Sequence, residues 1–183
     1  MTTVLWIPSP LVLDGNCISY WLDTLDFTTE PEAMDGLRDQ KLALVRMFFY
    51  WPSGTLSVVA RGRDEVESIT DPKRLQKHQQ WMDVHLTELP RLGGDVVAPI
   101  VQALREEGVN SKDSKWLAEA LAHKAPIAVT WDQGLLAQAG GRKDISVISP
   151  YDAWNAYSVP PGTAPRIRPA ASNPLRIETW WRV

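Results

Sequence analysis

The sequence predicts an α/β protein, a three-layer α/β/α sandwich around a central, mainly parallel sheet. Apolar runs at 11–14, 55–60, 126–130 and 145–148 have strand length and end at turn residues or acids. Between them, apolar residues recur at helical spacing, as in Leu37, Leu42, Val45 and Phe49, or Trp116, Leu117, Ala120 and Leu121. Strands alternating with helices require crossovers, which lay helices on both faces of a parallel sheet.

In order along the chain, residues 1–10 form an apolar lead-in, an edge strand or an arm. Leu11-Val12-Leu13-Asp14 is the first strand, followed by a helix over 16–25 carrying Ile18, Trp21, Leu22 and Leu25. Phe27 to Glu32 is a loop, and a helix from Pro31 or Ala33 runs to Phe49. Trp51-Pro52-Ser53-Gly54 is a turn signal ahead of the strand at 55–60. A patch of mixed charge follows at 61–67, and Asp71-Pro72 opens a helix with Leu75, His78, Met82, His85 or Leu86, and Leu89 on one face. Gly93-Gly94 ends it, and Asp95 caps a further helix that stops at Gly108. A helix over 113–124, a strand at 126–130, a short helix at 133–139, a strand at 145–148 and a helix from Pro150 to about Tyr157 complete the domain, residues 1–157. Residues 158–183 form a tail rich in proline, arginine and tryptophan. It either lies over the domain through Ile177, Trp180 and Trp181 or acts as a basic strap for RNA or a partner.

Composition bounds the function. Hydrophobic content of 44% and charged content of 22% suit an ordinary globular chain. A net charge of −3 does not point to nucleic acid by itself, although the distribution of charge matters more than its sum. The single cysteine, Cys17, rules out an internal disulfide and reads as a buried apolar residue rather than a nucleophile. No apolar run is long enough to span a membrane, and the N-terminal segment lacks the basic start of a signal peptide, so a cytoplasmic protein is expected.

The chemistry gathers on carboxylates. Asp14 and Asp132 each stand just beyond an apolar strand, where open α/β sheets place their ligand crevice. Asp113 falls in register with Leu117 and Ala120 on a helix face that packs on the sheet; a capping role is the competing account of it. Converging carboxylates repel unless protons or cations intervene, and hard oxygen ligands select Mg²⁺ or Mn²⁺.

Leu-Val-Leu-Asp14-Gly-Asn16, Asp113 with Ala120, Thr130-Trp-Asp132 and the late Ser149-Pro150 together resemble the PIN-domain family of metal-dependent ribonucleases, which includes toxins of toxin–antitoxin modules. The resemblance spans residues 11–157. It implies a PIN-like fold and an endoribonuclease that hydrolyses RNA phosphodiesters with Mg²⁺ or Mn²⁺ held by Asp14, Glu65, Asp113 and Asp132. Glu67 and Asp64 stand as rivals to Glu65 for the second acid, and all three could equally form a solvated helical turn. Asn16 and Thr130 would orient the acids, while Arg61, Arg63, Lys112 and Lys115 border the crevice as candidate phosphate contacts. RNA is the implied substrate, with an antitoxin protein and a homodimer as candidate partners. Gly15 departs from the family, which usually has threonine or alanine there, and the segment 71–92 is longer than in the smallest members.

Two other readings compete. One is a PIN-like module without activity that binds RNA or protein. The other, a phosphatase of the haloacid dehalogenase type, needs a second aspartate two residues after the first, where this chain has Asn16. His78 and His85 are seven residues apart, too far for an i, i+4 metal pair, and are assigned to packing.

Overall fold

The computed structural model describes residues 6–27, 37–169, 171 and 173–183. Five parallel strands form one sheet: β1 (Leu11–Leu13), β2 (Leu56–Val58), β3 (Thr87–Glu88), β4 (Ile127–Val129) and β5 (Ser146–Ile148), in the spatial order β3-β2-β1-β4-β5. The central strand β1 shows why helices must cover both faces. Leu11 and Leu13 project to one side and Val12 to the other, and all three are fully buried.

On the Leu11/Leu13 face lie α1 (Gly15–Phe27), α2 (Arg38–Tyr50) and α8 (Pro150–Ala156), around Trp21, Phe48, Phe49, Trp51 and Trp154. On the Val12 face lie α5 (Gly94–Glu106), α6 (Ser111–Ala122) and α7 (Gln133–Ala139), around Leu104, Trp116, Leu117 and Leu135. The helices α3 (Ala60–Glu67) and α4 (Pro72–His85) follow β2. Among the described residues no helix is long and apolar enough to cross a membrane.

Several boundaries differ from the sequence reading, each for a physical reason. The start expected for the second helix, at Pro31 or Ala33, lies outside the described residues, as do residues 1–5 of the lead-in. Residues 6–10 form no strand. The strand expected at 55–60 is shorter, because Ala60 already opens α3. The helix expected to run through Leu89 stops at His85 and gives way to β3. Leu86 and Leu89 keep helical spacing, but the Leu89 amide bonds the Val58 carbonyl at 2.9 Å, and both β3 side chains face solvent, so no apolar alternation marks the strand. Asp95 is not the cap of α5. Gly93 holds that position, and Asp95 sits in the first turn, where its charge favours the helix dipole.

The tail folds back onto α2. The Arg166 and Ile167 amides bond the Phe49 carbonyl at 2.8 and 3.1 Å, and the Val183 amide bonds the Tyr50 hydroxyl at 3.1 Å. Trp181 is buried against Phe49, with ring centroids 4.3 Å apart, and its indole N–H bonds the Leu175 carbonyl at 3.0 Å. Of the residues expected to anchor it, Trp181 is buried and Trp180 is partly so, but Ile177 is 80% exposed; Leu175 takes the inward position instead.

Candidate metal centre

The strand order switches direction at β1, with β2 on one side and β4 on the other. The crevice outside the carboxyl ends of β1 and β4 is therefore the natural ligand position. Asp14 follows β1 directly, and Asp132 lies three residues beyond β4. Asp113 arrives from the first turn of α6, a helix that leads back into β4, and Glu65 from the second turn of α3. Asp14, Gly15, Asn16, Glu65, Lys112, Asp113, Trp116, Asp132 and Leu135 line one cleft there.

Asp14 is the most constrained of the acids. One carboxylate oxygen accepts the Cys17 amide at 2.6 Å, which caps α1, and the other accepts the Thr130 hydroxyl. Burial pushes its pKa above the ordinary aspartate value; the Thr130 and Cys17 hydrogen bonds oppose this, and the charge of Glu65 adds to it. Thr130, itself fully buried, also accepts the Asp132 amide at 3.1 Å, so one hydroxyl links both strand-end acids. Asp132 uses one oxygen to accept the Leu135 amide at 3.0 Å, capping α7. Asp113 is not a cap. Asn110 fills that role through the Lys112 and Asp113 amides at 3.0 and 2.9 Å, and its own side-chain amide donates to the Asp113 carboxylate.

The rivals for the second acid separate cleanly. Asp64 is paired with Arg91 at 2.6 Å and Glu67 with Arg63 at 3.1 Å, while Glu65 lines the cleft. Gly15 makes room for it. A Cβ there would lie 2.6 Å from a Glu65 carboxylate oxygen, closer than real contacts allow. The glycine thus permits a close approach of the Glu65 carboxylate.

The candidate phosphate contacts divide. Lys112 lines the cleft with its ammonium 3.6 Å from Glu65, and Arg61 lies 4.0 Å from the other Glu65 oxygen. Lys115 is exposed and lies outside the lining. Arg63 is occupied elsewhere: it binds Glu67, Asp83 and Glu88 and ties α3 to α4 and β3. Asn16 is exposed in the cleft. Cys17 is buried, its thiol pushed well above the ordinary value by burial and then by the Asp14 charge, so it is no nucleophile. His78 is buried, with its ring against the Arg74 carbonyl at 2.8 Å, and His85 packs on Phe48 and Trp81.

Two residues that the sequence reading did not assign to the site belong to this edge. Trp116 forms part of the cleft wall, and its spacing of three from Asp113 was the available signal. Glu119 accepts the Arg61 amide at 2.8 Å and so satisfies the exposed amino end of α3, a contact between elements 58 residues apart that no local pattern reveals.

The donor set, four carboxylates with hard oxygens, suits Mg²⁺ or Mn²⁺. Among the described residues, however, no three acids are drawn together into a ligand cluster. Glu65 and Asp113 are on helices and only partly buried. No protein-family profile matches the sequence, and no curated protein matches it. Among solved structures, FitAcB from Neisseria gonorrhoeae is similar, at 15% identity and a TM-score of 0.46 over 77% of this chain and 98% of that one. By its strand order the chain has an α/β fold built on a five-stranded parallel sheet.

Proposed function

We propose that the protein is a metal-dependent endoribonuclease. The observation that supports this reading is the convergence of Asp14, Glu65, Asp113 and Asp132, borne on separate elements, at the switch point of a parallel sheet. Asp14 and Asp132 would hold Mg²⁺ or Mn²⁺ from the strand ends, with Glu65 and Asp113 completing the set. When bound, such an ion polarises a phosphodiester and lowers the pKa of water.

The chain's own groups supply orientation. Thr130 fixes the Asp14 carboxylate and the backbone entering Asp132, so both acids are set before a ligand arrives. Burial makes the ionised Asp14 costly in the empty cleft, and a cation relieves that cost. Lys112, more than half exposed on a flexible stem, neutralises Glu65 in the empty cleft and can swing to an incoming phosphate. An antitoxin protein and a homodimer are the partners this reading admits. The competing reading, a binding module without activity, draws on the lack of a preformed ligand cluster.

Purified protein is incubated with a mixed RNA panel in Mg²⁺ or Mn²⁺, beside Asp14→Asn, Asp132→Asn and a chelator control. Cleavage that needs metal and disappears in both variants supports the nuclease. RNA binding without cleavage by folded protein favours the binding module, and cleavage surviving both substitutions rejects the site.

A further inference from the structure

The second cavity worth explaining lies at the opposite edge of the sheet. The helix α2 runs through a short turn into β2, so its last residues sit where the strands begin, away from the acids. The helix α8 ends at the same edge, where the Trp51 indole bonds the Tyr157 carbonyl at 3.2 Å. The returning tail encloses a cavity of about 560 Å³ against α2, lined among others by Tyr50, Pro165, Arg168, Arg176, Trp181 and Arg182. That volume falls within the range of small-molecule sites.

Its charge is unlike the rest of the molecule. The chain carries −3 overall, yet the tail holds Arg166, Arg168, Arg176 and Arg182 against Glu178 alone. Among the described residues, no carboxylate forms an ion pair with the three arginines that line the cavity. Elsewhere, Arg63, Arg91 and Arg142 are all matched with acids.

One of the three, Arg182, is also held in place, while Arg168 and Arg176 are exposed. The Arg182 guanidinium lies 5.6 Å from the centre of the Trp181 ring and donates to the Arg176 carbonyl at 3.0 Å. From α2, Arg46 donates to the Trp181 and Arg182 carbonyls at 3.3 and 3.2 Å, fixing the segment that bears Arg182. Fixing guanidinium-bearing backbone costs side-chain and main-chain entropy before any ligand arrives, which lowers the ordering cost of binding an anion.

The geometry points to a binding site for a small organic phosphate in this cavity, with Arg168, Arg176 and Arg182 holding the phosphoryl group and the walls at Tyr50 and Pro165 receiving the organic body. Guanidinium forks match tetrahedral oxyanions, and three of them supply the charge that a phosphate dianion requires.

The test is calorimetric titration of the full chain with AMP, inorganic phosphate and adenosine, in chelator so that the acidic cleft holds no metal. AMP is expected to bind and adenosine not. Inorganic phosphate binding as well as AMP would keep the phosphoryl site and overturn the role of the organic body. An Arg168→Gln/Arg176→Gln variant is expected to weaken AMP roughly tenfold or more, with its melting profile checked for intact folding. Asp14→Asn is expected to leave AMP affinity unchanged, so this result is independent of the nuclease. No AMP or phosphate binding at millimolar concentration, or binding equal in the double variant, overturns the proposal.

Discussion

Gly15 decides how near Glu65 can come to the strand-end acids. Replacing it with alanine suits a helix, by up to about 1 kcal/mol, yet puts a methyl group in the space of a carboxylate oxygen. Gly15→Ala is therefore expected to keep or slightly raise the melting temperature while the Glu65 carboxylate swings aside and metal-dependent RNA cleavage falls. Cleavage rates and melting curves of the same preparation check both halves. A variant as active as the parent would remove Glu65 from the site. His85 offers a different residue-scale prediction. Burial beside Phe48 and Trp81 lowers its pKa from 6.5, so the fold favours the neutral ring. That contribution is complete above the unfolded pKa and is lost as pH falls through the lowered folded value. Stability is expected to decline from about pH 7 towards pH 5, less steeply in His85→Phe. Equal slopes in the two melting series would refute this.

At the scale of elements, α3 is held by charges that face away from the cleft. Arg63 joins it to Asp83 of α4 and Glu88 of β3, while its own Glu67 completes the group. The three acids are each more than two-fifths exposed, so the network is screened, and Arg63→Met is expected to cost about 1 kcal/mol, less at high salt. Urea unfolding at low and high salt measures this. RNA affinity in Arg63→Met should equal that of the parent, whereas Lys112→Met should weaken it. Legibility in the sequence follows the same division between local and distant causes. Strands β1, β2, β4 and β5 announce themselves through contiguous apolar runs, and those of β1 and β4 lead into Asp14 and Asp132. The edge strand β3 does not, because two exposed residues carry no burial signature and their neighbours continue the spacing of α4. The choice of Glu65, with Glu67 and Asp64 as rivals, rests on the resemblance; that Arg91 pairs with Asp64 and Arg63 with Glu67 is a contact the sequence does not display. Asn110 rather than Asp113 as the cap of α6 turns on where the helix starts, three residues earlier than an Asp113 cap requires.

Across the whole molecule, the two edges of the sheet have separate tasks. The acids occupy the edge where strands end, and the tail closes the edge where they begin, with Trp181 1% exposed between Phe49 and Tyr50. Trp181→Ala is expected to cost about 3–5 kcal/mol, read as a lowered urea midpoint, by leaving a cavity over α2. Because α2 packs behind β1 rather than over the cleft, the surviving folded fraction should retain its RNA cleavage rate; a parallel loss of rate per folded molecule would join the two edges. The hydroxyl of Thr130 carries a consequence for synthesis. It reaches Asp14 across 116 residues of sequence, and a ribosome delivers Asp14 and Glu65 long before Asp113 and Asp132. Until β4 emerges and pairs with β1, the strand that anchors half of the cleft does not exist. A nascent or prematurely terminated chain therefore carries only half of these acids and no bridge between them, so the cleft forms only once β4 has been made.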